Sequence, residues 1–390
     1  MLKAKTNERI VFLDYLRAFA CLLVVVGHIY FVGPNDPKTV SNWLPDVSSY
    51  IFGPDPNAEN PYGHALAMLT IHTGIGLGSL GVGLFFLISG FVILRALDRE
   101  AWRIFMTRRF FRIFPTNATC MVLIGLVTAM YCRLANVTDP IHLRSVVTSS
   151  LLLINLTQDF PATPVLWTLE VEVLFYLLMG ALAWRFTRLT QRILLVASLV
   201  CIFVSAIADF SSRSSMVLSA HAIQLAHLGL LLSNVTMLLI GSMIYRNFSD
   251  GWSKNSWISV LISIGLYVVA VTSHEMITGA STGIDIVNSA VALGIFSAAF
   301  VARMEWKWIR PLRWIGDISY PLYLLHVPLG WMVLVMLAKA GWNIHAAGIS
   351  AVLTAIACAW VMHVLVERTS QRVGRRVAIQ LFSTKSTVAK

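Results

Sequence analysis

About ten long apolar runs leave a chain like this little choice of fold. A helix rising 1.5 Å per residue needs about 20 apolar residues to cross a hydrocarbon core about 30 Å thick. Inside that core only helices and closed barrels satisfy their own backbone polar groups. The runs are Ile10 to Val32, Gly78 to Leu97, Thr116 to Leu134, Val165 to Arg185, Ile193 to Ala208, Leu225 to Tyr245, Trp257 to Thr272, Ile286 to Ala302, Ile318 to Ala338 and Ala346 to Val366. A further apolar stretch, Val146 to Leu156, is too short to span and reads as interfacial or re-entrant.

The expected fold is therefore an all-α polytopic bundle of about ten transmembrane helices in a lipid bilayer. Residues 1–370 are expected to form the membrane domain and 371–390 a basic cytoplasmic tail. Composition agrees, since 13% of residues are charged where soluble domains carry about 25%. The first run is too long for a signal-peptide core and is expected to remain as an uncleaved helix.

The net charge of +11 reads as topology rather than as a nucleic-acid footprint. Lys3, Lys5 and Arg9, the run Arg95 to Arg112, Arg185 with Arg188 and Arg192, Arg246, Arg303 to Arg313 and the arginine-rich tail all fall on one side of the predicted spans. The 33–77 loop, with Asp36, Asp46, Asp55 and Glu59, falls on the other, where it could cover a site. The positive-inside rule then places both termini in the cytoplasm, and an even number of helices agrees. All five cysteines lie in or beside apolar runs, with no spacing suited to zinc, so core packing is their expected role and no metal is expected.

Ionisable residues inside these runs mark the candidate site, because lipid does not solvate them. In the first run Asp14, Arg17 and His28 fall within a sector of roughly 60° at 100° per residue, and so share one stripe. His28 lies about 16 Å beyond Arg17 along the axis. Farther on, Ser89 follows a glycine-rich stretch, Gly81-Val-Gly83, whose small residues let helices approach closely. Arg109 and Arg112, three apart beside Phe110 and Phe111, suit an interfacial helix that clamps phosphate through guanidinium pairs.

The fourth run opens Trp167-Thr-Leu-Glu170-Val-Glu172. Both carboxylates lie at a depth similar to that of His28, and a carboxylate there would orient the ring and stabilise its imidazolium. Being two apart, they point about 160° from one another. Only one can readily face His28, and spacing leaves open which. Ser319, Tyr323 and His326 follow at i, i+4 and i+7 as a polar stripe on the ninth run. His363 and Glu367, four apart, are expected to be structural.

Five segments in order resemble the acyltransferase 3 family: Leu13-Asp14-x-x-Arg17-Ala with His28, Gly83-x-Phe85-Phe86-x-Ile88-Ser89-Gly90-Phe91, Arg109-x-x-Arg112-Ile-x-Pro115, Trp167-x-x-x-x-Glu172-x-x-Phe175-Tyr176, and Gly316-x-x-Ser319-Tyr320-x-x-Tyr323-x-x-His326. Members are integral membrane O-acyltransferases of bacterial surface glycans and related acceptors. The resemblance implies that Arg17 and His28 are the essential pair, that Arg109 and Arg112 engage acyl-CoA, and that Glu172 rather than Glu170 is the acidic residue. Ser89, Tyr323 and His326 match family positions and are assigned to the donor site; Asp14 is grouped with the catalytic residues. Thr168 stands where the family usually has serine.

The expected reaction moves an acyl group, most simply acetyl, from cytoplasmic acyl-CoA to a hydroxyl of an extracytoplasmic glycan. His28 is the base or acyl relay and Glu172 its assistant. Acyl-CoA is a co-substrate, and no permanently bound cofactor is expected. A multi-pass location in the cell inner membrane follows. The competing class is a proton-coupled exporter in which the same buried groups relay protons.

Overall fold

The computed structural model describes residues 10–32, 37–45, 61–213, 219–279, 281, 284–302 and 312–382. The described residues form helices and no strand. In chain order these are α1 (Val11–Val26), which runs on as a π-helical segment Gly27–Val32, then α2 (Pro37–Trp43), α3 (Pro61–Thr73), α4 (Leu77–Leu97) and α5 (Trp102–Ala135). Next come α6 (Leu143–Leu151), α7 (Ile154–Thr157), α8 (Leu166–Arg185), α9 (Gln191–Ser212), α10 (Ser219–Asp250) and α11 (Lys254–Thr278). The last are α12 (Ile286–Ala302), α13 (Arg313–Lys339), α14 (Ile344–Met362) and α15 (Arg368–Phe382), with a π-helical His363–Glu367 between α14 and α15.

Among the described residues nine helices are long and apolar enough to cross a membrane, and α12 is a shorter apolar helix. The expectation of about ten spans agrees with these nine and the shorter α12, which corresponds to the run Ile286 to Ala302. The chain is an all-α polytopic helical bundle.

Close backbone contact ties the centre together. α4 lies between α1 and α10. A Cβ on Gly90 would come within 1.8 Å of the Leu238 carbonyl oxygen, and one on Gly241 within 2.3 Å of the Leu87 oxygen, so each helix needs its glycine where the other passes. Ser242 Oγ donates to the Gly90 carbonyl at 2.9 Å in the same contact. α13 runs beside α1, with Gly316 against the Asp14 backbone and Trp331 Nε1 donating to the His28 carbonyl at 3.0 Å. At the end where α1 begins, Arg246 of α10 grips Asp98 through two hydrogen bonds of 2.7 and 3.0 Å. That end of the bundle also carries Arg109, Arg112, Arg313 and α15.

Two boundaries differ from expectation. Arg109 and Arg112 do not lie on a separate interfacial helix, because α5 continues from Trp102 through Pro115 into the span. Proline removes one backbone donor, and Thr119 Oγ1 donates to the Pro115 carbonyl at 2.8 Å, one turn on. The helix α15 also runs through residue 370 without a break. It docks on α5, where Ser370 Oγ donates to the Phe111 carbonyl at 2.7 Å.

The short apolar stretch 146–156 lies in α6 and α7, joined at Leu152 in the left-handed region. Asn117 Nδ2 holds it against α5 by donating to the Ser149 and Ser150 carbonyls. Within the 33–77 loop the structure places α2 and α3, while residues 46–60 and the His64 side chain lie outside the described residues. Trp43 at the end of α2 is buried, and its Nε1 donates to the Pro161 carbonyl at 2.9 Å.

Candidate active site

A cavity of about 80 Å³ in the bundle core is where most of the sequence-predicted residues meet. Arg17 of α1, Ser89 of α4, Arg112 of α5, Thr168 and Glu172 of α8, and Ser319 and Tyr323 of α13 all line it. These seven residues come from five apolar helices, and each turns its polar side chain inward, as lipid on the outer face requires. Two guanidinium groups share the space with one carboxylate. The cavity therefore carries an excess positive charge suited to an anion or a polarised carbonyl.

Glu172 is held at two points. Its Oε1 accepts from the Tyr176 hydroxyl and lies 3.5 Å from Ser89 Oγ. Arg109 stands one layer nearer the basic end, with its guanidinium 5.2 Å from the Phe105 ring centre and 5.6 Å from that of Tyr176. Tyr176 thus touches both the carboxylate and the arginine. Neighbouring Arg108 is bound to Glu100 instead.

Above this cavity the stripe on α13 continues toward the opposite end. Tyr323 OH lies 2.9 Å from Thr168 Oγ1, and the Tyr323 and His326 rings are 5.7 Å apart. His326 is fully buried, and its Nε2 lies 3.2 Å from Nδ1 of His28. Polar side chains therefore follow one another from Arg112 and Arg17, which share the cavity with Tyr323, to the histidine pair one turn farther along α13.

Hydrogen bonding fixes the tautomers of both neutral rings. His28 Nδ1 lies 2.9 Å from the Val24 carbonyl, and His326 Nδ1 lies 2.8 Å from the Tyr323 carbonyl. Carbonyl oxygens only accept, so both Nδ1 atoms carry protons. His326 Nε2 is then a bare acceptor facing His28 Nδ1–H, and His28 Nε2 keeps its lone pair. Among the described residues no hydrogen-bond partner of that nitrogen is found. His28 sits in the π-helical segment, a geometry that recurs at functional sites.

Two sequence expectations, the pairing of His28 with Glu172 and the catalytic grouping of Asp14, meet different partners in the structure. The ring partners of His28 are Val24 and His326, whereas Glu172 engages Ser89 and Tyr176. Asp14 is buried, and its Oδ2 pairs with Arg313 Nε at 3.3 Å, tying the starts of α1 and α13 together. Glu170 faces away from the cavity, accepting from Asn155 Nδ2 and lying 2.8 Å from His227 Nε2.

His227 and Asn155 received no role from the sequence. His227 lies in an apolar run just as His28 does, and that signal would have found it. Among the described residues no group of three His, Cys, Asp or Glu residues is placed to hold a metal.

A polytopic helical bundle with buried charged residues and a basic end is a multi-pass membrane protein. The particular family is given by its sequence: residues 10–364 match the acyltransferase 3 family model, an acyltransferase domain, and the chain belongs to that family. It is accordingly a membrane acyltransferase. Searches of curated proteins and of solved structures found no match.

Proposed function

We propose that the protein transfers an acyl group, most simply acetyl, from acyl-CoA on the cytoplasmic side to a hydroxyl of a glycan on the far side of the cell inner membrane. The observation that carries this reading is the polar track from Arg109, Arg112 and Arg17 to His28. One end is basic and the other holds a histidine with a free lone pair. The positive-inside rule assigns the basic end, and with it both termini, to the cytoplasm.

In this reading Arg109 and Arg112 bind the phosphates of the donor, as guanidinium groups bind phosphate elsewhere. The thioester enters the cavity and passes Arg17 and Arg112 on its way toward His28. Glu172, with Ser89 and Tyr176, holds those cations in register. Tyr323 and Thr168 form the wall along which the acyl group passes.

At the far end His28 Nε2 takes the proton of the acceptor hydroxyl as its oxygen attacks the thioester carbon. The carbon–sulfur bond then breaks, and the proton passes from the imidazolium to the departing thiolate of CoA. His326 Nε2, facing His28 Nδ1–H, supplies the acceptor that steadies the imidazolium. This gives His326 the part that the sequence assigned to Glu172. Asp14 is a positioning residue that acts through Arg313.

The test is label transfer from radiolabelled acetyl-CoA to a crude extract of cell-surface glycans by the purified protein in detergent. Transfer that is lost in His28→Ala and in Arg109→Ala is expected. A folded protein that neither binds acetyl-CoA nor transfers label would remove the acyltransferase chemistry and favour a proton-coupled exporter.

A further inference from the structure

The first turns of α8 separate two cavities. Thr168 and Glu172 line the core cavity, while Trp167 and Glu170 line a second one of about 410 Å³ enclosed by α7, the 158–166 segment and the start of α10. The Trp167 ring stands against Phe86, which lines the core cavity, at 6.3 Å. One tryptophan is therefore the partition between the two.

The second cavity is a built site. Glu170 is 8% exposed and engages both Asn155 and His227 on its rim. Gln224 Nε2 donates to the Leu156 carbonyl at 3.0 Å and fastens α10 to α7 there. Thr163, which also lines the cavity, is fully buried, yet its Oγ1 has no hydrogen-bond partner among the described residues. The cavity wall continues to the histidine pair. Pro161 accepts from Trp43, whose ring is 6.4 Å from that of Trp331, and Trp331 donates to the His28 carbonyl.

The lining chemistry defines the ligand. An indole offers an apolar face, while amides, carboxylates and an imidazole around it offer both donors and acceptors. That combination suits a ring bearing several hydroxyl groups. Charge narrows it further, because no lysine or arginine lines the cavity and Glu170 and Asp159 do. Arg144, the nearest cation paired to Asp159, is engaged with it at 2.9 Å. An anionic sugar would find no lysine or arginine in the lining to pair with and would face two carboxylates already engaged by their own partners.

We infer that this cavity binds an uncharged, hydroxyl-rich sugar unit through Glu170, His227 and Asn155 with Trp167 beneath it. It is the acceptor subsite, on the side of the membrane away from the basic end. The acceptor role rests on the acyltransferase chemistry above; the binding site itself does not.

Ile223 on the rim is 64% exposed and takes no part in the polar contacts. In intact cells, an Ile223→Cys protein is treated with a membrane-impermeant maleimide, with neutral or acidic oligosaccharides released from surface glycans as competitors. The neutral fraction is expected to slow alkylation, and Glu170→Gln or His227→Gln in the same background to weaken that protection about tenfold, as loss of a charge-assisted hydrogen bond does.

No reaction from outside, equal protection by the acidic fraction, or protection untouched by both substitutions overturns the site. Acetyl transfer is measured on the same cells. Transfer without protection rejects the subsite alone, and protection without transfer rejects the acyltransferase chemistry while the sugar site stands.

Discussion

Nδ1 of His28 and Nε2 of His326 lie 3.2 Å apart, with both rings oriented by backbone carbonyls rather than by a carboxylate. In the proposed reaction, a neutral imidazole that accepts from Nδ1–H would hold the His28 ring in place and share the charge when Nε2 takes a proton. An adjacent carboxylate would do the same with a full negative charge in a low-dielectric core, where an uncompensated charge is costly.

Replacing His326 with alanine is expected to lower kcat by about 10²-fold, the scale of a lost acid–base contribution. KM for acetyl-CoA should change little. Steady-state kinetics of acetyl transfer separate the two parameters, and unchanged kcat would remove His326 from the reaction.

Glu172 neutralises part of the charge of Arg17 and Arg112, so Glu172→Gln leaves two guanidinium groups facing one another. Tyr176→Phe removes only a neutral hydroxyl, a loss of about 1 kcal/mol. Thermal aggregation in detergent should show the first variant clearly less stable than the second. Equal stability would mean that the carboxylate does not balance the arginines.

Asp14→Asn breaks the ion pair to Arg313, which is partly exposed, and should cost about 1 kcal/mol or less. Acetyl transfer per folded molecule should stay close to that of the parent. A large fall in kcat with normal folding would return Asp14 to the catalytic group.

Thr168→Ser keeps a hydroxyl beside Tyr323 and should retain activity, while Thr168→Val loses that contact at about 1 kcal/mol. A serine variant as inactive as the valine one would show that the methyl group, not the hydroxyl, matters at this position.

Gly90→Ala places a Cβ 1.8 Å from the Leu238 oxygen and should abolish folded protein in the membrane. Gly265→Ala, with nothing within 4 Å of the added carbon, should accumulate normally. Immunoblots of membrane fractions with detergent extraction distinguish them.

Most of the bundle was legible because lipid imposes a simple rule: long apolar runs become helices, and their ionisable residues face inward. That rule marked Asp14, Arg17, His28, Glu170 and Glu172 from the chain alone, while the family resemblance pointed to Glu172 over Glu170 and to Ser89 and Tyr323. The continuation of α5 through Pro115 was not legible, since proline usually ends a helix in sequence terms. Packing of α5 against α15 and α13 holds its two halves in line.

The sequence by itself determined an all-α membrane bundle, the acyltransferase 3 family and the set of buried polar residues, because hydropathy and motif spacing are local properties of the chain. Which of those residues touch was decided by the tertiary structure alone. Glu170 and Glu172 are two residues apart and chemically identical, yet one faces His227 in the outer cavity and the other faces Arg17 in the core. His28 met His326 rather than either of them, because the meeting of α1 with α13 depends on packing across 298 residues of chain.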